Sequence, residues 1–274
     1  MAGANHDLRK ALMVRPGTKV RLDRIDPAAT HGFDRARAET VTQADLDRLD
    51  PLQERLWAEG KHKLLIVLQG IDTAGKGGTI SHVMGAFNPQ GCKIHGFKVP
   101  TAEELAHDYL WRAHPHVPAA GEVAIFDRSH YEQVLVVRVM GLEPKATWER
   151  HYDEINAFER LLVDTGTTVL KFFLHIDRDE QRQRLQARLD DPNKRWKFKM
   201  GDLETRAKWD DYIAAYEAAL TRCSTPEAPW FIVPANHKWF RNMAVASIVA
   251  DTLQDLKPRY PKPIEPIPPG LQVE

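Results

Sequence analysis

The chain has 274 residues, 43% hydrophobic and 28% charged, with 38 basic against 38 acidic side chains, enough for one full domain with a sizeable core. Zero formal net charge excludes a global pull toward nucleic acid or an anionic membrane, so any polyanion must be gripped by a local cluster. Cys92 and Cys223 match neither a disulfide framework nor a zinc pattern, and the opening residues lack the apolar stretch of a secretory signal. Together they predict a reducing, cytoplasmic setting. The longest aliphatic run, Leu64 to Leu68, has five residues against the roughly 20 that span a bilayer, which excludes a transmembrane helix.

In chain order, the first 40 or so residues are polar, broken by Arg-Pro-Gly and Asp-Pro, and read as an arm. Leucines 46, 49, 52 and 56 with Trp57 predict a helix over 45–59, with Pro51 tolerable only near its first turn. These first 60 residues are set apart as an N-terminal arm and helix. KLLIVLQ at 63–69 is a continuous apolar run of the kind buried on both faces of a parallel sheet. A Gly-rich turn and a helix over 76–87 follow. Further strands are predicted at 92–99, 122–127, 168–176 and 230–233. Helices are predicted at 102–113, 131–139, 145–163, 178–189, 203–220 and 239–256. Strands alternating with helices predict an α/β fold, a parallel central sheet between helical layers over 61–260. Ligands gather at the carboxyl ends of such strands. Residues 261–274 belong to a Pro-rich, extended tail.

The turn after the first strand reads Gly70-Ile-Asp-Thr-Ala-Gly75-Lys76-Gly77-Gly78-Thr79, a P-loop in the strand-to-helix setting its mechanism needs. Amides of Gly70, Ala74, Gly75, Gly77, Gly78 and Thr79 can point into one concavity, and Lys76 adds a mobile positive charge. Gly77 stands where a Ser or Thr normally ligates magnesium, and Thr79 carries the nearest hydroxyl. Asp72 puts a carboxylate beside bound phosphates, unfavourable unless a metal ion or an acceptor lies between. It reads as a magnesium anchor or an aligner of the attacking oxygen, with a turn-stabilising side chain as the bland alternative.

EVAIFD at 122–127 ends in Asp127, a Walker-B arrangement facing the P-loop, with Arg128 beside it to neutralise a phosphoryl group in transfer. Between Arg178 and Lys199 eight basic residues stand against four acidic ones; Lys194, Arg195, Lys197 and Lys199, interleaved with Trp196 and Phe198, lie where a basic helical lid over a phosphate site is expected, at about 178–210. A solvated helix face is the plain alternative. Arg112 is a candidate for an acceptor phosphate or for pairing with an acid. His130 either polarises a phosphate oxygen or is a surface histidine, and Glu132 joins these two as a nucleotide-site candidate. His114 and His116 lack an evident third ligand.

GIDTAGKGGTI, DYLWRAHPHVP, IFDRSHYEQVLVVRV, FFLHIDRDEQRQRLQARLDDPNKRWKFKMGDLE and APWFIVPANHKWFRN, in that order over most of the chain, resemble the polyphosphate kinase 2 family. The resemblance implies a P-loop kinase fold with a helical lid. It also implies reversible, magnesium-dependent transfer of the terminal phosphoryl of inorganic polyphosphate to an adenine or guanine nucleotide, with manganese as a substitute ion. By motif, Asp72 and Asp127 would hold metal and align the acceptor, Lys76, Arg128 and Arg188 would contact the phosphates in transit, and the basic lid would guide the polymer. Such proteins are typically dimers or tetramers, and a homotetramer is expected. The similar branch commonly reads FNRSHYEDVL, whereas this chain has Asp127 and Gln133 at the two differing positions, so subgroup acceptor preference does not carry over. Two rivals remain. An ATP-dependent kinase of the thymidylate kinase kind is opposed by Gly77, and a non-catalytic P-loop protein is opposed by the three costly charges of Asp72, Asp127 and Arg128.

Overall fold

A computed structural model describes residues 7–273. Five parallel strands, β1 (Lys63–Gln69), β2 (Cys92–Gly96), β3 (Val123–Asp127), β4 (Thr167–His175) and β5 (Trp230–Pro234), form one sheet in the order β2-β3-β1-β4-β5. The centre of the sheet is β1, whose Leu64 to Leu68 are wholly buried; the edge strand β2 is the one that leaves side chains in water. Register aligns Leu68 with Asp127, and Asp127 with Gly96. The turns after β1 and β3 therefore meet at one level on the carboxyl edge.

Eleven α-helices surround it among the described residues: α1 (Leu8–Leu12), α2 (Arg35–Glu59), α3 (Lys76–His82), α4 (Ala102–Leu105), α5 (Val136–Met140), α6 (Lys145–Trp148), α7 (His151–Asp164), α8 (Arg178–Asp190), α9 (Met200–Ala207), α10 (Trp209–Arg222) and α11 (Lys238–Leu256). From Val169 to His175 every β4 residue is buried, so helices cover both faces. On one face Lys171 meets α7 through Glu159, and the Phe173 ring meets Tyr216 of α10. The other layer is α11, packed on α2 and α3. This is the expected three-layer sandwich.

The main departures lie at the N-terminus. The segment read as a polar arm packs into the core: Leu8, Leu12, Val14, Val20 and Leu22 are buried, and the Val14 amide donates to the Trp230 carbonyl at 2.8 Å. Sparse apolar residues were enough because the segment lands on distant elements: α1 packs on β5 and α11, and the Val20 and Leu22 amides donate to Thr221 and Glu217 of α10. Helix α2 starts ten residues earlier than its leucine pattern suggested, at an Asp34 cap that accepts from the Arg37 amide. Pro51 therefore lies deep in the helix rather than in its first turn. The predicted 102–113 helix shortens to α4, the predicted 131–139 helix breaks into a single turn at His130–Gln133 followed by α5, and 145–163 splits into α6 and α7. Residues 259–273 have no regular structure, and Tyr260 ties this segment back by donating to Glu54 at 2.5 Å. No helix among the described residues is long and apolar enough to cross a membrane.

Candidate active site

The loop after β1 is shaped by two glycines. Gly70 has φ 155°, and a Cβ there would stand 2.8 Å from the Leu174 carbonyl and 2.9 Å from Ala74 Cβ. Gly75 has φ 114° and caps α3. Between them the β-branched Thr73 is held at φ 69°, an unfavourable conformation for such a residue. Buried Lys76 curls under the loop, donating from Nζ to the carbonyls of Gly70 at 2.6 Å and Ile71 at 3.5 Å. Burial pushes its pKa down, aided by the charge of Arg128 and opposed by those of Asp72 and Asp127. Arg184 of α8 fixes the loop from the side: its guanidinium donates to the carbonyls of Thr73, Ala74, Ala235 and Asn236 and pairs with Glu180 at 2.6 Å.

The loop after β3 turns toward this cradle. Arg128 takes φ 64° while its amide donates to the Leu68 carbonyl at 3.0 Å, which fixes Asp127 and Arg128 beside the P-loop. Arg128 donates from Nη2 to Asp72 Oδ1 at 2.6 Å, and its Nη1 lies 3.4 Å from Glu132 Oε2. Burial works against the charge of Arg128, but Glu132 and Asp72 more than offset it and its pKa is raised. Glu132 is itself held by Gln69, whose Nε2 donates to Oε1 at 3.1 Å. Asp72 accepts from Arg128 and from no loop amide, so the turn-stabilising reading of this carboxylate finds no hydrogen bond.

Residues of the segment expected to form a lid, 178–210, border the space beside the two turns. A cavity of about 420 Å³ is lined by Gly70, Ile71, Asp72 and Arg128 from the two turns and by Arg188, Lys197, Lys199 and Asp202 from the lid. Val136, Met140, Tyr212 and Tyr216 supply a less polar wall. Arg188 lies 3.6 Å from Asp202, whose carboxyl is raised by burial and by the charge of Asp72 despite the Lys199 amide it accepts from.

The other expected site residues fall elsewhere. Lys194 pairs with Asp191 at 2.7 Å and Arg195 donates to the Leu189 carbonyl at 2.7 Å; neither lines the cavity. Arg112 pairs with Glu104 at 3.3 Å and lies over the Phe97 ring. His130 is no surface histidine. It is 2% exposed, turned inward against Phe158, with Nε2 3.4 Å from Glu159. His116 stacks on His95, and His114 meets the Phe158 edge. Thr79 is buried and turns its hydroxyl to the Gly75 carbonyl at 3.2 Å, inside its own helix and not into the cradle. Nothing lies within 4 Å of a Cβ placed on Gly77, so space does not explain the missing hydroxyl there.

Tyr212, Tyr216 and Arg241 were not singled out by the sequence. The tyrosines sit at helical spacing that reads as core. Arg241 lies in the quoted segment APWFIVPANHKWFRN but belongs to no local motif, and only the fold carries it to Gly75.

Metal would find two carboxylates here. Asp127 Oδ1 is buried without a hydrogen-bond partner, a costly state that a cation relieves. Among the described residues no group of three or more His, Cys, Asp or Glu is placed to hold an ion alone. Magnesium does not need one, because it keeps water and phosphate oxygens in its shell and takes one or two carboxylates. Asp72 and Asp127 fit that donor set.

The model of the family Polyphosphate kinase 2 (PPK2) matches residues 33–261. An AMP/ADP-polyphosphate phosphotransferase of Meiothermus ruber is 54% identical over 256 residues, covering 93% of this chain and 96% of that protein. An ADP-polyphosphate phosphotransferase of Rhodopseudomonas palustris is 42% identical, with 81% of each chain covered. The crystal structure of polyphosphate kinase 2 from Arthrobacter aurescens TC1 superposes with a TM-score of 0.91 at 47% identity, over 95% of this chain and 93% of that one.

Proposed function

The chain belongs to the polyphosphate kinase 2 family, and from that premise we propose that it moves the terminal phosphoryl group of inorganic polyphosphate onto AMP or ADP. The observation that carries this reading is the single cavity in which the P-loop and Asp72, Arg128 from the second turn, and Arg188, Lys197 and Lys199 from the lid converge. One cation-rich space bordered by a phosphate loop suits two anionic reactants that must be brought together. In the reaction the terminal P–O–P bridge of the donor breaks, a nucleotide phosphate oxygen forms the new P–O bond, and the polymer leaves one phosphate shorter.

Such transfer asks for positioning and charge neutralisation more than covalent help from the protein. Loop amides and Lys76 hold the donor's terminal phosphates, and Lys76 exchanges its two carbonyl partners for phosphate oxygens. Arg128 bridges the two turns and meets charge growing on the phosphoryl group as it crosses. Arg188, Lys197 and Lys199 approach from the lid, while Val136, Met140, Tyr212 and Tyr216 shelter the nucleoside. Divalent metal, magnesium with manganese as a substitute, would be held by Asp72 and Asp127 and would supply further charge neutralisation between the reactants. Asp72 aligns the attacking oxygen from the same position. A soluble homo-oligomer, dimer or tetramer, without nucleic-acid or membrane partners, completes the reading.

Purified protein incubated with polyphosphate, magnesium and AMP or ADP should yield the next higher nucleotide without ATP as donor. Absence of product with both acceptors overturns the proposal.

A further inference from the structure

Arg241, in the first turn of α11, is 3% exposed. A buried guanidinium is unfavourable unless a counter-charge meets it. Among the described residues no carboxylate pairs with Arg241. Its Nε and Nη2 donate only to Oδ1 of the adjacent Asn242, at 3.1 and 2.7 Å. The guanidinium rests on the phosphate loop: a Cβ on Gly75 would stand 1.9 Å from Nη1, and one on Gly78 3.0 Å from Nη2. Those two glycines therefore make room for this cation.

The surroundings add positive charge. Arg184 stands close enough to help burial pull the pKa of Arg241 down to about 10, which leaves it charged at neutral pH. Arg184 is already met by Glu180 and four carbonyls, so it has no charge unanswered. Lys238, exposed at the start of α11, has its pKa lowered by partial burial and by Arg184 and Arg241, and Lys194 of the lid lies near enough to contribute. None of Arg241, Lys238 and Lys194 lines the cavity under the lid. The phosphate loop thus has two flanks: Gly70 to Asp72 faces that cavity, and Gly75 to Gly78 faces Arg241.

We propose that Arg241 binds the donor polyphosphate at the phosphate next to the one in transfer, and that Lys238 and Lys194 continue the path. The polymer then leaves the loop along the α8–α11 side, and only its terminal phosphate enters the cavity under the lid, where the acceptor nucleotide binds. This rests on the phosphotransfer reading and deepens it by giving the polymer chain and the acceptor separate flanks of one loop. It also accounts for a buried cation without a protein counter-ion, and for Lys194 lying outside the cavity.

The test measures tripolyphosphate binding by calorimetry without nucleotide, and KM for polyphosphate and for ADP at saturating partner. Arg241→Gln should weaken tripolyphosphate binding and raise the polyphosphate KM about tenfold or more, with the ADP KM within about twofold of the parent. Arg241→Lys, which keeps the charge, should recover part of the loss. Lys238→Ala, on the surface, should raise the polyphosphate KM about threefold and flatten its salt dependence. A rise confined to the ADP KM, or no change in either constant, overturns the proposal. Should Arg241→Gln fail to fold, an unchanged polyphosphate KM in Lys238→Ala overturns it just as well. Tripolyphosphate binding that depends on Arg241, in a protein that transfers nothing to AMP or ADP, would support this subsite while refuting the phosphotransfer reading.

Discussion

Arg128 closes on Asp72 at 2.6 Å, tying the turn after β3 to the phosphate loop after β1. The two come from strands paired in register, with Leu68 level with Asp127, so each turn leaves the sheet at the same height and the pair forms without long reach. Both turns carry a non-glycine residue at positive φ, Thr73 at 69° and Arg128 at 64°, and such strain collects where side chains must be aimed.

From this pair comes the first prediction. Asp72→Asn removes the carboxylate that holds Arg128 and is assigned to metal and acceptor. Its kcat should fall about 10² to 10³-fold, while the polyphosphate KM does not rise, because an anion beside the donor has been removed. The pair is part-exposed, so folding stability should change by less than about 1 kcal/mol. Steady-state kinetics with a denaturation curve decides; a variant with full activity returns Asp72 to a purely structural part.

Gly75→Ala tests the cradle itself. At φ 114°, with Arg241 standing where the methyl group must go, alanine strains the backbone and displaces the guanidinium together. The expected result is loss of tripolyphosphate binding in calorimetry and a destabilisation of about 1–3 kcal/mol. Gly77→Ala, which meets nothing within 4 Å, is its control and should stay folded with stability within about 1 kcal/mol of the parent. Similar destabilisation in both would show that the space around Gly75 is not what demands glycine.

How much of this could be read from the sequence depended on whether the information was local. Strand β1, the P-loop and Asp127-Arg128 are contiguous, with period and spacing set by their own residues, and all lie where expected. Arg184 and Arg188 show the limit. Four apart on one helix, they part company in the fold: Arg184 inserts into the carbonyls behind the P-loop and Arg188 lines the cavity. Lys194 and Lys197 also diverge, because the turn over Arg195–Lys197 sends them to different sides. The buried N-terminal segment was missed for a related reason. Leu8, Leu12, Val14 and Val20 are too irregularly spaced to signal an element, and the segment is covered by distant β5, α10 and α11.

A third prediction concerns stability. Lys171 and Glu159 form a fully buried pair at 2.5 Å, with Tyr131 donating to Glu159 at 2.9 Å and the Cys223 carbonyl accepting from Lys171 at 2.6 Å. Burial works to raise the Glu159 pKa, but Lys171 and His130 overcome it and the net shift is downward. A carboxylate depressed in the fold stabilises fully above its unfolded pKa, roughly 4.3, and that contribution drains away as pH falls through the lower folded value. Glu159→Gln leaves Lys171 buried and unpaired, which should cost about 3–5 kcal/mol. Urea melts at pH 7 should show that loss, and the gap from the parent should narrow below about pH 4. A gap that widens on acidification contradicts the pair's assigned charge state.

The lid supplies the last prediction, a contrast between two arginines on the same segment. Arg188 lines the cavity and faces the buried Asp202, whereas Arg195 lies outside it with its Nε committed to the Leu189 carbonyl. A cation that meets phosphate charge in transit contributes to kcat/KM through the transition state, while one bound to a lid carbonyl contributes to local order alone. Arg188→Ala should therefore lower kcat/KM about 100-fold, and Arg195→Ala should change it less than about threefold. Both side chains are at least partly exposed, so neither substitution should shift Tm by more than a few degrees, about the effect of 1 kcal/mol in a domain of this size. Equal losses in the two variants would mean that the lid acts as a diffuse positive field, and that the geometry separating Arg188 from Arg195 does not matter to the reaction.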